Sequence, residues 1–193
     1  TVKLPPSLLQ IGAGAFLDCA LLDHVSLPES LQDFNGDAFR GCSSLVDLQA
    51  APGNPAVVLE NGILYTADKS QLLWCSPSVT GTLTIPESVT SVYTLAFYDA
   101  ANLSSLVIPE SMQVMPGTLF GLCPALEDIR IAENNPAFHS DPPLVFSPDD
   151  STVFFCERDA EELPDFPENT KSIIDYAMAS CKELKEIVLP ENI

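Results

Sequence analysis

The chain has 193 residues, of which 46% are hydrophobic and 18% are charged, so it has enough apolar side chains for a buried core and is not expected to be disordered. Its 27 acidic and 8 basic residues give a net charge of −19, and a surface of this sign repels nucleic-acid phosphates. No apolar run reaches the roughly 18 to 20 residues of a transmembrane helix. We therefore expect neither nucleic-acid binding nor membrane insertion.

A short unit recurs along the chain. Its copies begin with an aliphatic or aromatic residue followed by proline, at Leu4, Leu27, Ile85, Ile108 and Phe166. Each copy then carries an aromatic residue or methionine, at Phe16, Phe39, Phe97, Phe120 or Met178. A small residue follows three positions later, at Cys19, Cys42, Ala100, Cys123 or Cys181. Because so short a unit cannot bury its own apolar residues, the copies are expected to stack as a solenoid.

Each copy ends in a short apolar–polar alternation, which predicts a short strand with one buried face. The predicted strands start at residues 2, 25, 48, 83, 106, 129, 164 and 187. Two short steps and one long step alternate along this series, so the pattern that starts at 2 starts again at 83 and at 164. We call this larger spacing the long period. Pro164 lacks the N–H that a strand would use, so we expect weak pairing there.

The two long steps contain matching inserts, at about 54–77 and 135–158, which align without gaps. Each insert has two apolar runs separated by turn residues, which predicts a β-hairpin. In the first insert the runs are Ile63–Tyr65 and Leu72–Cys75. We expect both hairpins to leave the solenoid at equivalent points and to enlarge one face.

The unit P-x-S-(V/L)-x-x-I-x-x-x-A-F-x-x-C-x-x-L-x-x-(V/I)-x-L-P resembles the repeat of the BspA-like, or Treponema-type, leucine-rich repeat family. The inserts resemble that family's N-P-x-(F/Y) hairpin unit. The resemblance implies a β-rich, right-handed solenoid of about eight coils of short parallel strands with two hairpin inserts. It also implies an exported, often surface-attached bacterial protein without enzymatic activity or cofactor. Some members of the family are implicated in adhesion to host matrix proteins, and many have no assigned ligand.

The cysteines, six in all, could form disulfides in an exported protein. Four of them share one repeat position, however, and Cys75 and Cys156 are equivalent residues of the two inserts. This equivalence predicts free, mostly buried thiols. The sequence has no C-x-x-C motif, so no zinc site is predicted.

The sequence predicts no catalytic residues and no metal ligands. The two histidines, His24 and His139, lie in no motif with a nucleophile. The acidic stretches at Asp149–Asp150 and 157–165 lack EF-hand spacing, so a solvated surface is favoured over a calcium site, which stays open.

A candidate partner-binding face follows from the alternation of side chains along the strands. In each strand the residue between the two buried positions faces outward, and the residue before the strand adds a second row. The face comprises His24, Ser26, Asp47, Gln49, Thr82, Thr84, Ser105, Val107, Asp128, Arg130, Glu186 and Val188. The same rows extend to Thr1, Lys3, Leu163 and Asp165. Asp47, Asp128, Asp165 and Glu186 make the face negative, which favours a basic partner. The alternative binding surface is the face that carries the hairpins.

We therefore predict an extracellular or cell-surface interaction module that binds a protein or glycan of a host or cell surface. The alternative is a structural spacer that holds another domain off the cell surface. The sequence starts at Thr1 without a basic and apolar leader, so we expect any export signal to have been removed or to lie outside it. Both ends fall within a repeat, so residues 1–193 are expected to form a single solenoid domain that is either a fragment of a longer array or covered at its ends by other chains.

Overall fold

The computed structural model describes residues 2–116, 119, 123, 125–189, 191 and 193, and these form short β-strands and no helix. The predicted β-rich solenoid is confirmed, with about seven turns where eight were expected. Thr1, Phe120 and Pro190 of the sequence pattern lie outside the described residues. The strands are β1 Gln10–Ile11, β2 His24–Leu27, β3 Asp33–Phe34, β4 Asp47–Ala50, β5 Val57–Glu60, β6 Ile63–Thr66, β7 Gln71–Cys75, β8 Gly81–Thr84, β9 Ser91–Val92, β10 Leu103–Ile108, β11 Asp128–Ile131, β12 His139–Asp141, β13 Leu144–Phe146, β14 Thr152–Cys156 and β15 Ser172–Ile173.

The predicted repeat strands form the first of two parallel ribbons. β2 pairs with β4, and β10 pairs with β8 on one side and β11 on the other. Val2 forms an isolated parallel bridge with Val25 of β2. The buried residue of one strand lies opposite the buried residue of the next, as at Val25 and Leu48. The predicted inward alternation is therefore confirmed for these strands, except at Ser105 of β10, which is buried as well.

The strands predicted at 164 and 187 are wrong, because residues 163–166 and 186–189 form no strand. Pro164 has no N–H to donate to a ladder. Val188 is 69% exposed and Ile187 and Leu189 are exposed as well, so this segment lacks the burial that holds the other strands.

A second parallel ribbon runs through the middle of the repeats, and the sequence did not predict it. It contains the pairs β1–β3, β7–β9 and β14–β15 and a bridge from Ser91 to Val114. The pairing repeats at the long period, since Gln71 lies opposite Ser91 as Thr152 lies opposite Ser172. The structure thus contains the long period seen in the sequence.

Both predicted hairpins are present, and each is one strand larger than expected. β6 and β7 pair antiparallel, as do β13 and β14, and β5 and β12 add a third strand to each. The expectation that the hairpins leave the solenoid is wrong, because β7 and β14 are themselves rungs of the second ribbon. The reason is that β7 is apolar on both faces, with Leu72 to Cys75 all buried. Trp74 of β7 lies edge-on to Phe39 of the preceding turn, with 6.2 Å between ring centroids.

All six cysteines lie in the described part of the chain and are free thiols, as predicted. Cys42, Cys75, Cys123 and Cys156 are buried, and burial raises the pKa of the Cys42 thiol to about 11 and that of Cys123 to about 12. Cys19 is exposed, which differs from the prediction for its repeat position.

Candidate partner-binding face

The first ribbon brings most of the predicted face together in register. Between β2 and β4, His24 lies opposite Asp47, and Ser26 lies opposite Gln49. Across β8, β10 and β11, Thr82, Ser105 and Asp128 form one row, and Thr84, Val107 and Arg130 form a second. The face therefore consists of two segments, since β4 and β8 belong to separate sheets.

The members of the face differ in exposure. Ser26, Asp47, Gln49, Thr82, Thr84 and Arg130 are exposed, whereas His24, Val107 and Asp128 are half-buried. Ser105 is only 7% exposed, so the expectation that it presents an outward side chain is wrong. Ser105 lies on β10, the central strand of its sheet, and its hydroxyl donates to Asp128 Oδ2 at 3.0 Å. It therefore helps to hold that carboxylate in place.

The same aspartate cluster occurs in both segments, at positions one long period apart. Asp47 accepts a hydrogen bond from Gln49 Nε2 at 3.0 Å, and His24 Nδ1 lies 2.7 Å from its second oxygen. Asp128 accepts from Arg130 Nε at 2.8 Å and from Ser105. In each cluster one partner lies two residues after the aspartate in the sequence, and the other lies on the preceding strand.

The two clusters differ in electrostatics. Hydrogen bonds from Gln49 and then His24 lower the pKa of the Asp47 carboxyl, so it is ionised at neutral pH. At Asp128 the guanidinium of Arg130 compensates the carboxylate charge. The negative charge of the face is therefore less compensated at Asp47 than at Asp128.

Glu186 and Val188 are exposed, and the structure does not bring them into the strand rows. They line a groove of about 360 Å³ together with Asp165, Lys185 and Glu161. Part of the acidic stretch that the sequence left open as a calcium site lies here. Among the described residues, no group of three or more His, Cys, Asp or Glu side chains is arranged to hold a metal ion.

The two histidines contact carboxylates. His139 Nε2 lies 2.7 Å from Asp150 Oδ1 in the second hairpin, and His24 contacts Asp47 as described above. Each imidazole is thus held by an acidic side chain of a neighbouring strand or turn.

The sequence profile of the BspA type leucine rich repeat region matches residues 1–56, 74–141 and 151–193, in six copies. The chain belongs to this family. The resemblance seen in the repeat unit is therefore confirmed, and membership indicates a protein-interaction or cell-surface role. No curated protein matches the chain. The described residues contain no helix that is long and apolar enough to cross a bilayer.

Three solved bacterial structures share the fold of this BspA-type chain. A leucine rich cell surface protein from Faecalibacterium prausnitzii A2-165 is 23% identical with a TM-score of 0.67, over 95% of this chain and 45% of that one. The pneumococcal vaccine antigen PcpA is 20% identical with a TM-score of 0.61, over 85% and 38%. A leucine-rich repeat protein from Eubacterium ventriosum ATCC 27560 is 16% identical with a TM-score of 0.54, over 87% and 49%. The chain thus spans less than half of the length of each.

Proposed function

We propose that this chain is an extracellular or cell-surface, adhesin-like module that binds a basic protein partner through the candidate face. The observation that carries the proposal is the aspartate cluster that recurs at Asp47 and Asp128 on the outer side of the first ribbon. Repeat proteins use extended surfaces of this kind for partners, because equivalent side chains lie in rows along the stack.

The preference for a basic partner rests on charge. The chain carries −19 overall, and hydrogen bonds from Gln49 and His24 lower the pKa of the Asp47 carboxyl. A negative surface speeds encounter with a positive partner and sets the orientation in which the two meet. A leucine-rich repeat solenoid is typically non-enzymatic, which supports binding over catalysis.

A structural spacer is the second candidate. It is favoured by the length of the similar solved structures, of which this chain covers 45%, 38% and 49%. Proteins so much longer than this chain can carry their binding site in another part, with the solenoid holding that part in place.

The experiment is a binding screen of the isolated chain against immobilised extracellular-matrix proteins and glycans, read by biolayer interferometry at low and high salt. We expect a basic matrix protein to bind, with association that slows as salt screens the face. Binding that is insensitive to salt, or restricted to neutral glycans, would contradict the proposal. Absence of binding across the whole panel would favour the spacer.

A further inference from the structure

A second surface lies outside the candidate face, on the other ribbon. It is a groove of about 620 Å³ between β3 and the first hairpin, with β9 at its base. Its lining includes Asp33, Asn35, Asp68, Gln71, Leu73 and Tyr93. None of the described residues that line this groove is a lysine or arginine.

One wall of the groove is a strand edge. Among the described strands β3 pairs with β1 alone, so its other side has no strand partner there. The N–H groups of Asp33 and Asn35 donate to Leu9 and Ile11 of the β1 side, at 3.1 and 3.0 Å. Because successive residues of a strand point their backbone groups to opposite sides, those of Phe34 face the groove. An extended peptide can pair with such an edge.

Two carboxylates line the groove. Asp68 Oδ1 accepts hydrogen bonds from Thr66 Oγ1 at 2.7 Å and from the N–H and hydroxyl of Ser70 at 3.0 and 2.8 Å. These three bonds are all to Oδ1, and they lower the pKa of Asp68 to about 2. Asp33 is exposed and accepts from Gln10 Nε2 at 2.5 Å.

The base of the groove is held in shape by contacts between distant repeats. Tyr93 Oη donates to Asn35 Oδ1 at 2.9 Å, across 58 residues of sequence. The Tyr93 ring covers Gly36, where an added Cβ would lie 2.4 Å from a ring carbon. Phe34, which is half-buried, adds apolar surface beside the carboxylates, which suits the alkyl stem of a lysine or arginine side chain.

The second copy of the long period provides an internal comparison. The residues equivalent to Asp33, Asn35 and Tyr93 are Val114, Pro116 and Ile174. The turn carboxylate is retained, because Asp149 accepts from Ser147 and Ser151 as Asp68 accepts from Thr66 and Ser70. The combination of two carboxylates and a hydrogen-bonded base therefore belongs to the first groove.

We propose that this groove binds an extended basic segment of a partner protein, which pairs with the free edge of β3 and places a lysine or arginine side chain between Asp33 and Asp68. The inference rests on the proposed function only in that the partner is a protein. The residues of the groove are separate from those of the candidate face, so experiments can disprove either binding site without disproving the other.

The probe is an acetylated and amidated hexapeptide of alternating valine and lysine, titrated into the chain and followed by NMR and calorimetry. A version with glutamate in place of lysine and a version with N-methylated backbone serve as ligand controls, and a chito-oligosaccharide tests the sugar alternative. We expect the lysine peptide to bind and to shift the resonances of Phe34, Asp68 and Tyr93. The glutamate and N-methyl peptides should not bind.

The variants separate the groove from general charge attraction. Asp68→Asn keeps an Oδ1 acceptor for Thr66 and Ser70, and we expect it to weaken peptide binding about fivefold, as for loss of one partly exposed ion pair. Asp33→Val, which copies Val114, should weaken it similarly. Asp149→Asn makes the same charge change in the equivalent turn and should leave the affinity unchanged.

Equal weakening by Asp149→Asn and Asp68→Asn would overturn the proposal, since binding would then follow net charge alone. Preferential binding of the sugar would overturn it as well. Peptide binding in the groove together with a negative matrix screen would support this site while the proposed function fails. The reverse result would overturn this site alone.

Discussion

The cysteine that recurs in the repeat is a small side chain that also forms a hydrogen bond between turns, as at Cys42 and Cys123. Cys42 Sγ donates to Phe16 O at 3.1 Å, and Cys123 Sγ donates to Phe97 O at 2.9 Å, each on the preceding turn. The sequence predicted the free state of these thiols from their shared position. It could not predict the hydrogen bond, because the acceptor is a backbone carbonyl 26 residues away.

Thiol reactivity should follow burial. Only a thiolate reacts quickly with a disulfide reagent, and burial raises the pKa of Cys42 and Cys123 while limiting access. We expect Ellman's reagent to modify exposed Cys19 first in the native chain, and all six thiols after denaturation without reductant. Cys19→Ser should remove the fast phase. A fast phase that survives this substitution, or fewer than six thiols after denaturation, would contradict the assignment.

Asp99 should make stability depend on pH in the unusual direction. Its Oδ2 accepts from Gly41 N at 2.8 Å across two turns, and desolvation raises the pKa of this carboxyl. A raised pKa means that the folded state favours the protonated form, so stability from this group is lost as pH rises through that pKa. We expect Asp99→Asn to raise the Tm at neutral pH, with a gain that shrinks on acidification.

Asp149 serves as a control, because its pKa is shifted in the opposite direction from that of Asp99. Hydrogen bonds from Ser151 and Ser147 lower the pKa of Asp149 to about 2, so its contribution is present at neutral pH and lost as pH falls toward 2. Asp149→Asn should therefore lower the Tm at neutral pH. Thermal melts of both variants between pH 2 and 7 check the pair, and a lower Tm for Asp99→Asn at neutral pH would refute its assignment.

At the scale of elements, one asparagine ties each hairpin to the turn before it. Asn54 Nδ2 donates to Pro28 O at 2.8 Å, and its Oδ1 accepts from the N–H groups of Ala56 and Val57. Asn135 makes the equivalent bonds in the second hairpin, with Pro109 O at 2.6 Å. The asparagine was visible in the aligned inserts, whereas its partners depend on the stacking of turns.

Replacing this asparagine should destabilise the fold strongly. Asn135→Ala removes a side chain that satisfies backbone groups on two turns, and we expect a loss of about 2 to 3 kcal/mol in the free energy of unfolding. Its neighbour Asn134 is exposed and its side chain donates to Glu110 Oε1 at 3.0 Å, so Asn134→Ala should cost less than about 0.5 kcal/mol. Urea unfolding of the two variants measures the difference, and equal losses would exclude the proposed role of Asn135.

The sequence predicts strands well where alternation is long enough to read. The strands β2, β4 and β11 each carry the expected inward pair within four residues. The strands β1, β3, β9 and β15 have two residues each, so no alternation exists and their extent depends on a neighbour in the next turn. The buried run of β7 indicated that this strand lies inside the stack, and that signal was present in the sequence.

At the scale of the whole molecule, residues one long period apart occupy equivalent positions in the stack, but their side chains differ in chemistry. The sequence predicted the rows of the candidate face, because strand alternation is local. It did not predict that Arg130 compensates Asp128, nor the groove at β3, which depends on the contact of Asn35 with Tyr93 across two repeats. Features that span repeats require the stacking geometry.

The most direct test of the central claim compares two double variants in binding to the matrix protein found by the screen. Asp47→Lys with Asp128→Lys reverses both aspartates of the face, and Glu29→Lys with Glu110→Lys makes the same charge change at exposed positions outside the rows. We predict that the first pair weakens affinity by at least about tenfold, measured at a temperature where both variants are folded, and that the second pair has much less effect. Equal losses in both variants, or unchanged affinity in the first, would contradict binding through this face.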